Sequence, residues 1–143
     1  MYTDKIEVTF DYAHRLLNYE GKCHNIHGHL AKVVVEVGSS QLVGAGFVID
    51  FGDLKRCVKS YIDDNWDHTL LLCSQDPLAI KLIDDTKIYL FIDKDPTAEN
   101  MAYILYGELQ RLLSSFDLKV LNVTIYETVN AAASYIPDPV GRI

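Results

Sequence analysis

The 143-residue chain predicts an α+β fold, an antiparallel sheet with two main helices packed on one of its faces. Two observations carry this expectation. Apolar residues alternate near both ends of the chain, as Ile6, Val8, Phe10 and Tyr12 and again as Leu121, Val123 and Ile125. Between those stretches the spacing changes to three and four residues, first in Leu54, Cys57, Val58, Tyr61 and Ile62, later in Met101, Ile104, Leu105, Leu109, Leu112 and Leu113.

The elements follow in order. Lys5 to Ala13 reads as a half-buried strand, and Asn18 to Asn25 is polar and turn-rich. Leu30 to Val37 is a second strand, built on the β-branched run Val33-Val34-Val35. A loop over Gly38 to Gly46 leads to a short extended piece, Phe47 to Phe51, and a helix of about three turns begins at Asp53. Asp76-Pro77 caps and opens a short helix to about Ile83. Lys87 to Ile92 is a short strand, and Pro96-Thr97-Ala98-Glu99-Asn100 starts the longer helix. Leu118 to Glu127 and Ala132 to Ile136 complete the set as strands. A sheet this small leaves open edges and an uncovered face, so assembly through the sheet is expected.

Composition limits the function classes. The length suits one domain, expected over 1–143, large enough for a core without disulfides. The net charge is −7, and no basic stripe gathers the 13 Lys and Arg residues, which argues against nucleic acid. No apolar run reaches membrane-spanning length, and Asp4, Lys5 and Glu7 interrupt the start where a signal peptide would need an apolar core. Three cysteines suit a reducing compartment better than a disulfide framework. The cytoplasm is the expected location.

The segment Cys23-His24-Asn25-Ile26-His27-Gly28-His29 carries the chemistry. In an extended segment His27 and His29 share one face, and His14 shares strand parity with Phe10 and Tyr12. Three imidazoles leave one zinc position open, as catalytic sites do, and they must be neutral to bind, which links affinity to a histidine pKa of about 6.5. Cys23 is a general base or nucleophile favoured by a nearby cation, or else a fourth ligand closing a structural site. His24 has no role beyond a solvated loop. Asp67-His68 pairs a carboxylate with an imidazole and, with Cys23, supplies the parts of a proton relay. Glu127 has the parity of Leu121, Val123 and Ile125; either the strand has emerged into solvent there or the carboxylate anchors an amidine-like ligand through two parallel hydrogen bonds. Thr97 and Glu99 either cap a helix or touch ligand.

Phe10-Asp11-Tyr12-Ala13-His14-Arg15-Leu16, Gly21-Lys22-Cys23, His27-Gly28-His29, Val48-Ile49-Asp50-Phe51, Asp67-His68, Pro96-Thr97-Ala98-Glu99-Asn100 and Glu127-Thr128 occur in this order over nearly the whole chain. Together they resemble the family of 6-pyruvoyl- and 6-carboxy-tetrahydropterin synthases. The resemblance implies the tunnelling fold, a four-stranded antiparallel sheet with two helices that trimerises into a barrel, two trimers forming a hexamer. It implies zinc on His14, His27 and His29, Cys23 as proton acceptor, Asp67 and His68 as relay partners, and Glu127 as the pterin anchor and a further catalytic member of the relay. The implied substrate is 7,8-dihydroneopterin triphosphate. The three residues between Cys23 and His27 resemble the bacterial carboxy-forming branch of queuosine biosynthesis; the pyruvoyl-forming synthase and a non-catalytic zinc- or pterin-binding module are the alternatives. Arg15, Lys22 and Lys32 are candidates to hold the triphosphate.

Overall fold

The structure, a computed structural model, describes residues 1–138; positions 139–143 of the expected domain lie outside the described residues. Strands β1 (Tyr2–His14) and β2 (His27–Ser39) form a long antiparallel pair in which Tyr12 faces His29 and His14 faces His27. A short 3-10 turn, Lys22–His24, lies between them. After helix α1 (Phe51–Asn65) come β3 (Thr69–Cys73), the short helix α2 (Leu78–Leu82) and β4 (Ile88–Phe91). Helix α3 (Ala98–Leu112) then leads to β5 (Lys119–Thr128) and β6 (Ala131–Tyr135).

The α+β class holds, with α1 over β1 and α3 over β5 and β6. The sheet is larger than the expected four strands. It has six, in the order β4-β3-β1-β2-β5-β6. Strands β1, β2, β5 and β6 pair antiparallel, while β3 joins β1 and β4 joins β3 in parallel. The cause is the run Leu70-Leu71-Leu72, which is apolar on consecutive residues and therefore suits a strand covered on both faces. Leu71 enters the main core, whereas Leu70 and Leu72 pack with Ala79 of α2 in a small second cluster. Helix α2 is thus the cover for the second face of β3.

The period-two and helical stripes bury as expected. Val33, Val35, Leu54, Val58, Ile62, Leu105 and Leu109 are fully inaccessible, each such aliphatic side chain contributing about 1.5–3 kcal/mol of transfer free energy. The extended piece expected over Phe47 to Phe51 is not a strand. Phe47 makes an isolated bridge to Val43, and the helix begins at Phe51 because the Asp50 carboxylate accepts the N–H groups of Gly52 and Asp53. Among the described residues no helix is long and apolar enough to cross a membrane.

Candidate metal centre and active site

The alternation of β1 puts Phe10, Tyr12 and His14 on its helix-facing side and Asp11 on the opposite, open side. His27 and His29 enter from β2 on the same side as His14, one residue either side of Gly28. The three rings meet edge to face, with centroids 4.6–5.2 Å apart, and one nitrogen from each lies within 4.8 Å of the others.

Second contacts fix which nitrogens point inward. His14 Nδ1 is 2.7 Å from the Pro96 carbonyl oxygen, and His27 Nδ1 is 2.7 Å from the Asn25 carbonyl oxygen. A carbonyl only accepts, so both Nδ1 atoms carry the proton and both Nε2 atoms present lone pairs. Those two Nε2 atoms are 3.0 Å apart. Two acceptors at that distance repel unless a cation lies against both. Ligand nitrogens about 2.0–2.1 Å from a tetrahedral zinc stand roughly 3.3 Å apart, so the donor set fits such an ion. His29 Nε2 is buried without a hydrogen bond, which a metal would also remedy. Burial, then the neighbouring imidazoles, lowers the His14 pKa to about 4 against the opposing pull of the Pro96 carbonyl. Burial lowers His29 as well, with Glu127 opposing. Neutral imidazoles are the metal-binding form.

Glu127 reaches this group. Its carboxylate lies 3.3 Å from His29 Nε2, off the hydrogen-bond direction, and it is half-buried rather than emerged into solvent. Beside it is an open cavity of about 270 Å³ lined by Leu16, Thr97, Glu99, Glu127 and the small residues Ala131 to Ala133. Thr97 and Glu99 thus border the cavity, and the Thr97 hydroxyl also caps α3 by accepting the Asn100 N–H. The capping alternative for Thr97 is thus met, and its place on the cavity wall leaves it within reach of a bound molecule.

Asp67 and His68 form a second group, with Asp11 as an unexpected third member; one ligand atom from each lies within 4.8 Å of the others. His68 Nδ1 donates to Asp67 Oδ2 at 2.9 Å, and Asp67 Oδ1 accepts the Asp11 N–H. His68 has a left-handed backbone, φ 52°, held by its N–H donating to the Asp11 carbonyl at 2.7 Å. The hydrogen bond and charge of Asp67 raise the His68 pKa above its ordinary value. Burial works against the Asp67 charge, but His68 and the Asp11 N–H outweigh it and hold Asp67 low.

Cys23 lies in the 3-10 turn, half-buried, and belongs to neither group. The histidine site is therefore a three-imidazole set without the thiol as fourth member, and within one chain the thiol is not gathered with Asp67 and His68. His24 is not simply solvated, since its ring bonds the Leu16 carbonyl. Arg15 is taken up structurally. It forks onto the buried Asp76 carboxylate at 2.6 and 2.7 Å, tying the end of β1 to the start of α2. Lys32 sits over the Tyr126 ring, 4.4 Å from its centroid. Sequence reasoning missed the Pro96 and Asn25 carbonyls, for which there was no signal, and the Tyr12 hydroxyl, for which the signal was a phenol on the same face as His14.

With this geometry established, the relatives are informative. A family profile described as 6-pyruvoyl tetrahydropterin synthase matches residues 5–138. The chain is 35% identical over 127 residues to a 6-carboxy-5,6,7,8-tetrahydropterin synthase of Rickettsia felis, covering 86% of this chain and 91% of that protein. It is 32% identical over 137 residues to the protein of the same name from Haemophilus influenzae, covering 90% and 94%. In three dimensions it resembles an uncharacterized protein of Wolinella succinogenes, with a TM-score of 0.83, 23% identity and coverage of 96% and 98%. It also resembles the 6-pyruvoyl tetrahydropterin synthase of Caenorhabditis elegans, with a TM-score of 0.69, 25% identity and 96% of each chain covered. The chain belongs to the 6-pyruvoyl tetrahydropterin synthase family and is an enzyme with that family's tunnelling fold.

Proposed function

We propose that the protein converts 7,8-dihydroneopterin triphosphate and water to 6-carboxy-5,6,7,8-tetrahydropterin, acetaldehyde and triphosphate, with zinc on His14, His27 and His29. The observation that carries the metal part is the pair of inward lone pairs on His14 and His27, 3.0 Å apart beside the unpaired His29 nitrogen. The carboxy product is supported by the names of the relatives, which are 6-carboxy-5,6,7,8-tetrahydropterin synthases in both bacteria cited above. Zinc supplies Lewis acidity toward the hydroxyl-bearing side chain of the substrate.

The chain's own residues have distinct parts. Glu127 accepts two parallel hydrogen bonds from the amidine-like edge of the pterin, and the alanine-lined cavity leaves room for a flat ring. Cys23, as thiolate, takes a proton from the side chain. His68, whose protonated form Asp67 favours, is the donor on the other side of the transfer. No redox cofactor is required, because side-chain oxidation balances ring reduction. Since Cys23 stands apart from Asp67 and His68 in one chain, the relay is completed between copies, in a hexamer built from two trimers. With Arg15 committed to Asp76, Lys22 is the stronger of the remaining triphosphate candidates, as Lys32 already has Tyr126 and Glu7 as neighbours. The place of the reaction is queuosine biosynthesis in the cytoplasm.

The test is incubation of the zinc-loaded protein with 7,8-dihydroneopterin triphosphate, reading product mass and acetaldehyde. A carboxy product with acetaldehyde is expected. A pyruvoyl product without acetaldehyde assigns the chain to the other branch, and bound zinc with no turnover returns the binding-module alternative.

A further inference from the structure

Tyr12 is the residue of the site with no role so far. It is the cross-strand partner of His29, its ring stands edge-on to His14 with centroids 5.0 Å apart, and it lies 5.6 Å from the His29 ring. Below, it stacks on Phe10. Its hydroxyl is buried and has no hydrogen-bond partner. Of the three buried side-chain polar atoms without a partner among the described residues, two, Tyr12 Oη and His29 Nε2, belong to this one registered pair. A buried hydroxyl left unpaired is costly and calls for a partner in some state of the protein.

The third group at this place is Glu127, 3.3 Å from His29 Nε2. Among the described residues no side chain donates a hydrogen bond to this carboxylate, and a metal on His29 occupies the nitrogen that faces it. We propose that the Tyr12 hydroxyl is the carboxylate's donor: in the metal-loaded protein it holds Glu127, making Tyr12 a positioning residue for the metal site and the pterin anchor. The inference rests on the metal reading of the triad given above. A phenol, with an ordinary pKa of about 10, is protonated at neutral pH and able to donate. Phe10 and the two imidazoles hold the ring in place, so little side-chain freedom is lost when the bond forms.

The test uses the full chain as wild type, Tyr12→Phe, Glu127→Ala and the double variant. Zinc affinity is read by competition with a chromophoric chelator, and melting temperature is read with and without zinc. Because the hydroxyl gains its partner only in the loaded state, Tyr12→Phe should weaken zinc binding by about tenfold. The same variant should leave the melting temperature of the metal-free protein unchanged or higher, which a merely structural hydroxyl would not do. In the Glu127→Ala background the tenfold loss should disappear. Equal zinc affinity of wild type and Tyr12→Phe overturns the proposal, as does a loss that persists undiminished without Glu127. A wild type that binds no zinc overturns the metal reading and this inference together. Failure of turnover alone touches only the proposed reaction, since none of these readouts uses substrate.

Discussion

The two clusters of potential metal-ligating side chains among the described residues both contain histidine, and they tune it in opposite directions. His14, His27 and His29 lie on the helix-facing side of the sheet, where burial lowers His14 to about 4 and also lowers His29. Asp11, Asp67 and His68 lie across β1 from them, where His68 is exposed and its pKa rises beside the Asp67 carboxylate. In the first group burial favours the neutral form of His14 and His29, and the Nε2 lone pairs of His14 and His27 converge. In the second group the Asp67 carboxylate accepts the His68 N–H and favours the protonated form of that ring. The difference teaches that solvent access and the nearest charge, rather than residue type, decide whether a histidine is ready for a metal or ready to give a proton.

The largest expected effect tests whether the two groups divide the chemistry between them. Cys23→Ala should retain zinc and lose turnover by roughly 10²–10⁴-fold, the usual worth of a general acid–base group. Bound metal and rate, measured on the same preparation, check it; retained activity would remove the thiol from the relay. His29→Ala should act on the other side of the comparison, weakening zinc retention by more than about a hundredfold, read as metal content after dialysis against chelator. Zinc held as firmly as in wild type would show that the converging lone pairs are not the metal site.

Acid sharpens the contrast in sign. Unfolded His14 takes up its proton near pH 6.5 and folded His14 only near pH 4, so between these values the unfolded chain binds more protons. Stability of the metal-free protein should therefore fall as pH drops from about 6.5 to about 4, by up to about 3 kcal/mol from this residue alone. His68 works in the other direction: its raised pKa stabilises the fold below its ordinary value, and the contribution fades as pH rises through the raised one. Urea unfolding across pH, for wild type and for His14→Ala without zinc, checks the first statement; parallel pH profiles would contradict it. The smallest effect is local. Asp67→Asn should lower the His68 pKa toward about 6.5 with zinc content unchanged, as followed by NMR titration of the ring. An unmoved titration would mean that Asp67 does not set the charge of His68.

Much of this protein was readable from the chain. The stripe Ile6, Val8, Phe10, Tyr12, His14 places His14 on the buried side of a strand, and the Gly28 spacer puts His27 and His29 on one side of the next. The parity of Ile125 and Glu127 allowed an inward carboxylate but also a strand already in solvent, and the half-buried position of Glu127 decides for the first. The shared faces follow because strand geometry is local: a side chain's face is fixed by counting residues. The helical stripes were legible for the same reason, with a period of about 3.6 in place of two. The six-strand sheet was not, because Leu70 to Leu72 specifies burial on both faces but not the neighbour that provides it.

The chain by itself thus determined most of the strands, the two main helices, the shared face of His14, His27 and His29, and the residue types able to hold a metal. Only the tertiary structure decided the partners: the Pro96 carbonyl that fixes the His14 tautomer across 82 positions, the Asp76 carboxylate that captures Arg15, the Asp11 backbone that completes the Asp67–His68 group, and the absence of Cys23 from both clusters. Periodicity is a property of neighbouring residues, whereas these contacts join segments far apart in the chain, whose meeting depends on the packing of the whole sheet.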